Sequence, residues 1–357
     1  MHINELLTKA VQGGASDIHI TVGTGAVARV HGKLVMLQNG VLTGEDTLAF
    51  VKQVLSENEL KAFAQAGEYD CAYSVPNVSR FRVNVYRQRD CCAIAFRAIA
   101  DHVPTIDDLA LPAVFKELAA KPRGLILVTG PTGSGKSTSL AAMIDYMNST
   151  RSNHIITIED PIEYLHQHKK SIINQRQIGR DSLSFANALR GALRQDPDVI
   201  LVGEMRDFET ISIALTAAET GHLVLSTLHT IGAAKTVDRI IDVFEPSQQP
   251  QVRVQLAAVL EAVISQQIIP RKDIKGRVAA FEIMKGNGAI RALIREGKSH
   301  QIQTVIQTSA AESMITMDNS LLDLYWKGII SEEEVMNHCV EMAEITREMK
   351  GAYSHVA

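Results

Sequence analysis

Hydrophobic and polar positions follow two different periods in the first hundred residues, which predicts a small domain of mixed helix and strand. Apolar residues repeat with helical spacing ahead of Gly13 and Gly14, at Ile3, Leu6, Leu7 and Ala10. Helical spacing returns over 45–66, and alternation at every second residue predicts strands over 16–22, 26–35, 80–86 and 93–99. We therefore predict a smaller α+β domain over residues 1–100.

The pattern changes after this domain. Proline and polar residues interrupt the periodicity over 101–112, which predicts an interdomain linker. Strands and helices then alternate from about 112 to 270, as is typical of a parallel α/β sheet. From about residue 271 the pattern is mostly helical, and Ser331 with Glu334 forms a capping box before a final helix. The second predicted domain is therefore α/β and covers residues 113–357.

Composition narrows the class of protein. The chain has 357 residues, of which 46% are hydrophobic and 21% charged, and its net charge of −4 provides no general basic field for a nucleic acid. Its four cysteines, Cys71, Cys91, Cys92 and Cys339, contain no CxxC pair, so no zinc ribbon is predicted. The chain shows neither a signal peptide nor an apolar run of about 18 residues that could span a bilayer. We expect a cytoplasmic protein without direct membrane insertion.

A phosphate-binding loop provides the strongest chemical signal. Residues 130–138 read GPTGSGKST, between an apolar strand at 125–128 and a predicted helix. The glycines allow the backbone N–H groups to approach phosphates closely, Lys136 supplies a positive charge, and the Ser137 hydroxyl is a predicted Mg²⁺ ligand. The predicted nucleotide ligands are Thr132, Gly133, Ser134, Gly135, Lys136, Ser137 and Thr138. The chain is therefore predicted to bind a nucleoside triphosphate.

Acidic residues follow two further strand-like segments. Glu159, Asp160 and Glu163 come after the apolar run 154–158, and Glu204 comes after the run 199–202. Because parallel sheets place their ligand chemistry at the carboxyl ends of strands, we expect these acids near the phosphate loop. Gly203 occupies the position where a Walker B strand usually has its aspartate, so Glu204 is expected to contact the metal through water. The alternative is that these acids cap strands or pair with arginines.

Two histidines flank a third apolar strand. His222 precedes the run 223–228 and His229 follows it, at the end where a γ-phosphate sensor is expected. Both are candidate catalytic residues, and the alternative is a structural role for either one.

Two arginines in the first domain form a further candidate pair. A two-residue turn near Arg89 and Asp90 would place Arg82 directly opposite Arg97 on one face of a hairpin. Like charges in that position destabilise an antiparallel pair unless an anion lies between them. We hypothesise that Arg82 and Arg97 bind the γ-phosphate, with Arg80 a weaker candidate. The alternative is that each arginine pairs with a local carboxylate.

Four ordered motifs together resemble the secretion ATPase superfamily that powers type IV pili and type II secretion. They lie at 130–138, 157–164, 196–207 and 220–230. Within the superfamily, the segment 289–298 resembles a signature of the pilus retraction ATPases, although Ala292 replaces an asparagine. The assembly ATPases usually carry a four-cysteine metal motif and a longer N-terminal region, and this sequence shows neither.

The resemblance implies a homo-hexameric ring with a PAS-like N-terminal domain and a RecA-like P-loop ATPase domain. ATP would bind between them and near a neighbouring subunit, with Mg²⁺, and Glu159 and Asp160 would be among the nucleotide-binding residues. Glu163 would activate water and Glu204 would hold the Mg²⁺ shell, although these two roles could be exchanged. The implied function is pilus retraction and twitching motility through an inner-membrane platform protein, with pilin as an indirect partner. This would place the protein at the inner membrane only through the pilus machinery.

Alternatives remain at this level. An assembly or secretion ATPase of the same superfamily is the nearest alternative. Two others are a nucleic-acid motor and a nucleotide-sensing regulator without useful turnover.

The segment 289–298 is predicted to be a helix with an apolar stripe at Ile290, Leu293 and Ile294, and with Arg291 and Arg295 on another face. This helix either covers the surface or transmits motion to the pilus base. In the second case, changes in it would abolish retraction and spare ATP hydrolysis.

Overall fold

The chain divides into two compact units. The computed structural model describes residues 2–30, 32–38, 40–76, 78–99 and 103–353, the side chains of 351–353 excepted. The first unit comprises Met1–Val103 with Glu163–Leu165, and the second comprises Pro104–Ile162 with His166–Ala357. No helix among the described residues is both long and apolar enough to cross a membrane.

The first unit is a six-stranded antiparallel sheet with three helices. Its helices are α1 (Ile3–Gln12), α2 (Gly44–Val54) and α3 (Glu57–Ala66). Its strands are β1 (Ala15–Ile20), β2 (Val27–Val30), β3 (Lys33–Met36), β4 (Glu68–Val75), β5 (Ser79–Gln88) and β6 (Cys91–Ile99). The strand order is β3-β2-β1-β6-β5-β4. Alternate residues of β5 and β6 face one core. There the rings of Phe81 and Phe96 pack edge to face, with 5.9 Å between the ring centroids.

Three details of the first unit differ from the sequence-based prediction. The stretch 45–66 forms two helices, because Ser56 starts α3 with a capping box to Glu59 and so ends the preceding run. The stretch 26–35 is divided between β2 and β3, which form a hairpin of their own. Strand β4 was not predicted, although every second residue from Tyr69 to Val75 packs in or against the core of this unit.

The second unit is a seven-stranded sheet with helices around it. Its strands are β7 (Gly124–Thr129), β8 (His154–Glu159), β9 (Ile172–Gln177), β10 (Val199–Val202), β11 (Leu223–Leu228), β12 (Leu260–Pro270) and β13 (Arg277–Lys285). Its helices are α4 (Val114–Ala119), α5 (Lys136–Thr150), α6 (Phe185–Ala192), α7 (Phe208–Glu219), α8 (Ala233–Asp242), α9 (Gln249–Val259), α10 (Gly288–Glu296), α11 (Ile302–Thr308), α12 (Met317–Trp326), α13 (Glu332–His338) and α14 (Met342–Tyr353).

This sheet is buried on both faces, as a parallel sheet between helices requires. The order is β13-β12-β7-β11-β10-β8-β9, and every neighbouring pair is parallel except β12 with β13. Strand β7 shows the two-sided burial, since Leu125 and Leu127 belong to one core and Ile126 and Val128 to the other. The mixed α/β fold class predicted from the sequence is confirmed.

Two details of the second unit correct the prediction. Strand β13 lies within the stretch that was expected to be mostly helical, and it extends the sheet as an antiparallel edge. The Ser331 hydroxyl accepts a hydrogen bond from the Glu334 N–H at 3.2 Å, as the capping motif predicts, but the helix that it starts is followed by α14. The helices α12, α13 and α14 share a separate small core with Ile269 and Ala280 of the hairpin β12–β13.

The guanidinium of Arg291 fixes helix α10 to the start of strand β12. It donates to the carbonyl oxygens of Gly286, Ala257 and Ala258 at 2.6, 2.7 and 2.5 Å, and it pairs with Glu261 at 2.8 Å. As predicted, Ile290 and Ile294 of the same helix are buried. Arg295 is exposed. The two arginines of this helix therefore do different things, and Arg291 is the structural one.

We expect Arg291→Ala to lower the free energy of unfolding by about 2 kcal/mol, because several charge-assisted hydrogen bonds to backbone carbonyls are lost together. Arg295→Ala, one helical turn away, is the matched control and should change stability by less than about 0.5 kcal/mol. Urea unfolding followed by circular dichroism measures both values. Equal stability of the two variants would contradict the anchoring role of Arg291.

Candidate nucleotide-binding and hydrolysis site

Most of the predicted site residues of the second unit, His222 excepted, lie at one edge of its sheet. Parallel strands have their carboxyl ends at the same edge, and these ends carry the loops that bind ligands. The phosphate loop follows β7, Asp160 follows β8, Glu204 follows β10 and His229 follows β11. The strand register confirms the alignment, since Val202 lies beside Ser226 and Ile158.

The phosphate loop lies against strand β12 too closely for a side chain. A Cβ at Gly130, whose φ is +138°, would lie 2.2 Å from the carbonyl oxygen of Gln266. A Cβ at Gly135 would lie 2.8 Å from Nε2 of the same glutamine. The hydroxyl of Ser139, in the first turn of α5, donates to Gln266 Oε1 at 2.8 Å. Gln266 therefore lies close to both ends of the loop and is hydrogen-bonded to the first turn of the helix that follows it.

The interior of the loop fits a polyphosphate. Lys136 is 8% exposed, and its ammonium group donates to the carbonyl oxygens of Gly130 and Pro131 at 2.9 Å each. The buried hydroxyl of Ser134 has no hydrogen-bond partner among the described residues. Helix α5 starts at Lys136, so its first N–H groups and its dipole add positive potential at the same place. The loop presents donors and positive charge, which suits an anionic ligand.

Among the predicted ligands, residues 132–135 form the loop, and Lys136, Ser137 and Thr138 form the first turn of α5. Ser137 is partly exposed. A hydroxyl at this position is a suitable ligand for a hard cation such as Mg²⁺.

Glu204 lies between two positively polarised side chains. Its Oε2 is 2.7 Å from Nη2 of Arg206, and its Oε1 is 3.3 Å from Nε2 of His229. Burial raises the pKa of Glu204, but the hydrogen bond and charge of Arg206, together with His229, outweigh burial and leave this pKa below its ordinary value. Glu204 therefore keeps its carboxylate form to lower pH than an isolated glutamate would. This group brings together two residues predicted from sequence, Glu204 and His229.

Arg206 is a site residue that the sequence-based prediction missed. Its contact with Glu204 raises its own pKa, and the nearby charge of Asp160 acts in the same direction. The signal was present in the sequence, because Arg206 follows Glu204 by two residues directly after a buried strand. Arg206 thus connects the acidic ends of β10 and β8.

The side chain of Glu159 is held by hydrogen bonds within the sheet, whereas that of Asp160 is exposed. Glu159 Oε1 accepts hydrogen bonds from Thr157 Oγ1 at 2.6 Å and from Gln175 Nε2 at 3.2 Å. The Glu159 carboxylate is therefore held beside its own strand and the neighbouring β9, while Asp160 is exposed.

The fold separates His222 from this group. His222 lies at the amino end of β11, where its Nδ1 is 2.9 Å from the carbonyl oxygen of Ala217 in helix α7. Strand β11 has six residues, so the two ends lie about 20 Å apart. Within one chain, His222 therefore lies at the opposite end of β11 from His229 and the phosphate loop, and its catalytic role stays a prediction. Glu163 is exposed and belongs to the segment Glu163–Leu165 of the first unit, and its role as a base stays a prediction.

In the first unit, Arg82 and Arg97 face each other as predicted. They are register partners in β5 and β6, joined by a two-residue turn in which Arg89 and Asp90 have φ of 49° and 61°. The side chain of Arg97 donates to Asp17 at 2.9 Å. Although burial raises the pKa of Asp17, hydrogen bonds from Arg97 and Ser16 outweigh it and lower this pKa. The alternative of a local carboxylate is therefore realised for Arg97.

A family model described as "Type II/IV secretion system protein" matches residues 1–337 of the chain. The chain belongs to this family.

Relatives within the secretion-system family agree with this placement. The type IV pilus retraction ATPase PilT of Pseudomonas aeruginosa is 50% identical over 333 residues, which cover 93% of this chain and 96% of that protein. A twitching motility protein of Neisseria gonorrhoeae is 52% identical over 324 residues, covering 89% of this chain and 87% of the relative. A crystal structure of the pilus retraction motor PilT with bound ADP superposes with a TM-score of 0.92 at 47% identity, covering 97% of this chain and 99% of that one.

We expect Arg206→Ala to move the acidic limb of the pH–rate profile for ATP hydrolysis to higher pH. Arg206 lowers the pKa of Glu204, so its removal lets Glu204 take up a proton at a higher pH, and the carboxylate is lost earlier as the pH falls. Initial rates at saturating ATP across the acidic range measure the shift. Arg194→Ala, at an exposed arginine elsewhere in the same unit, serves as the control. An acidic limb that stays in place in Arg206→Ala would show that Glu204 does not govern it.

Proposed function

We propose that the protein is an ATP-hydrolysing motor that drives type IV pilus retraction and twitching motility. The observation that carries this proposal is the near full-length similarity to PilT in sequence and in fold, combined with an intact phosphate loop. An assembly or type II secretion ATPase of the same family is the alternative.

The phosphate loop binds the ATP phosphates. Lys136 is held by two carbonyl oxygens of the loop, so its ammonium group is already in place for the β- and γ-phosphates. The loop N–H groups and the start of α5 supply further donors. Mg²⁺, bound through the Ser137 hydroxyl and the Glu204 shell, would neutralise charge that develops on the phosphates.

The two acids take different roles in this proposal. Glu204 has a lowered pKa because of Arg206 and His229, which makes it a weaker base and better suited to the metal shell. Glu163 is then the residue that accepts a proton from the attacking water. His229, at the end of β11 and in contact with Glu204, is suited to respond to the γ-phosphate, and Asp160 orients Arg206. His222, at the other end of β11, has no assigned step in this proposal.

Arg82 and Arg97 remain candidate ligands of the γ-phosphate. Their opposed positions on β5 and β6 support the proposal, because two like charges at register partners favour an anion beside them. Asp17 supplies one such anion to Arg97, so the argument is stronger for Arg82.

Arg82→Ala and Arg97→Ala are each expected to lower ATP turnover at least tenfold, as loss of a charged phosphate ligand typically does. Asp17→Asn is the matched control, since it removes the carboxylate that contacts Arg97 and keeps the guanidinium. Steady-state phosphate release measures all three. Unchanged turnover in both arginine variants would rule out the role, and equal losses in Asp17→Asn and Arg97→Ala would assign Arg97 to sheet stability.

The remaining proposals concern assembly. We propose a homo-hexamer on the cytoplasmic side of the inner membrane that acts through a platform protein of the pilus base. In each subunit, the first unit would be PAS-like and the second RecA-like. Light scattering of the ATP-bound protein gives its subunit number. Affinity purification from solubilised inner membranes, compared with an Arg295→Ala variant, tests whether helix α10 contacts the platform.

The chromosomal variant Lys136→Ala tests retraction against assembly. Without the Lys136 ammonium group, ATP is bound poorly and the motor stops. Cells are expected to keep surface pili and to lose twitching motility, as seen by electron microscopy and by plate motility assays. Lys170→Ala, at an exposed lysine in the same unit, should leave both unchanged. Loss of the pili themselves would support the assembly alternative.

A further inference from the structure

Helix α8 begins four residues after His229 without a cap from its own sequence. Gly232 precedes the helix with a φ of 89°, and no local side chain accepts a hydrogen bond there. The first N–H groups of a helix need acceptors, and they carry partial positive charge. The acceptors at this helix come from a distant part of the chain.

Two facing residues of the hairpin β12–β13 supply the cap. Ser265 and Glu282 are register partners, so both side chains lie on the same face of the sheet. The Gly232 N–H donates to the Ser265 hydroxyl at 3.0 Å, and the Ala233 N–H donates to Glu282 Oε1 at 2.7 Å. The loop from His229 to Gly232 is therefore held against the sheet by its backbone.

The Glu282 carboxylate is almost completely buried, with 2% of the residue exposed. Its second oxygen accepts from Gln303 Nε2 of α11 at 3.3 Å. A carboxylate removed from water is costly unless its oxygens find donors, and a helix start is one of the few places that provides them. The position of Glu282 is thus tied to the position of the α8 start.

The same loop determines where His229 lies. The C-terminal end of the loop is fixed by Glu282 and Ser265. A hydrogen bond of 2.7 Å between Thr230 Oγ1 and Thr236 Oγ1 also fixes this end. The N-terminal end of the loop continues directly from strand β11 and is fixed by it. The contact of His229 Nε2 with Glu204, at 3.3 Å, therefore depends on a loop whose two ends are both held.

We propose that Glu282 is a positioning residue for ATP hydrolysis, which fixes the loop at Gly232 and Ala233 and so holds His229 against Glu204. Ser265 has the same role with a weaker, uncharged contact. The inference rests on the proposed role of His229 in the ATPase. Nothing in it requires Glu282 to touch the nucleotide.

The test is a double-mutant cycle in the full-length protein. Glu282→Gln keeps an acceptor for the Ala233 N–H but removes the negative charge and places a donor against Gln303. We expect kcat to fall roughly tenfold, because small displacements of a catalytic group cost that much or more, with KM for ATP within about twofold. His229→Ala should lower kcat as well. In the combined variant, kcat should equal that of His229→Ala alone, because residues that act through one another are not additive.

Two further variants keep the result interpretable. Ser265→Ala is a small change that the fold should tolerate, and it is expected to lower kcat about threefold in the parent and not at all in His229→Ala. Glu261→Gln is the matched control, since it makes the same chemical change on β12 near Arg291, away from the loop. Its kcat should stay within about twofold of the parent.

Three outcomes would overturn the inference. The first is a normal kcat in both Glu282→Gln and Ser265→Ala. The second is a combined variant whose kcat is lower than that of His229→Ala by the same factor that Glu282→Gln costs alone, which would indicate a general effect on the fold. The third is normal turnover of His229→Ala. The ATPase assignment is tested separately, because it requires that Lys136→Ala lose ATP turnover whatever the result for Glu282.

Discussion

The close contact between the phosphate loop and strand β12 is the constraint on which the arrangement of the site depends. At Gly130 the backbone of the loop approaches Gln266 so closely that no Cβ fits. Gln266 and its neighbour Ser265 face opposite sides of the sheet, as successive strand residues must. One side chain holds the phosphate loop and α5, and the other holds the start of α8. Two adjacent residues of β12 therefore contact both the start of α5 and the loop that follows β11.

The electrostatics of the site follow from this packing. The loop after β7 gathers donors and a buried ammonium group, whereas the loops after β10 and β8 gather carboxylates. Arg206 and His229 keep Glu204 ionised despite its burial. The result is an anion-binding region next to an acidic region on one sheet edge, which is the distribution that a phosphate with its counter-cation needs.

Local features of the fold could be predicted from the sequence, and long-range contacts could not. The two-residue turn at Arg89 and Asp90 fixes the register of its hairpin, so the facing positions of Arg82 and Arg97 followed from spacing alone. The acids at strand ends followed from the apolar runs before them. The contact of Glu282 with Ala233 spans 49 residues, and no periodicity reveals it. The flanking positions of His222 and His229 at opposite ends of one strand also followed from the sequence, whereas their roles stay predictions.

The anchoring of α10 by Arg291 has a mechanical consequence. The guanidinium binds the carbonyl oxygens that precede β12 and the carboxylate of Glu261 near its start, and Gln266 lies about 17 Å further along the same strand. A strand held in a sheet resists stretching, because its hydrogen bonds to both neighbours would have to break together. Helix α10 and the phosphate loop are therefore both packed against one continuous strand, at positions joined by an extended backbone.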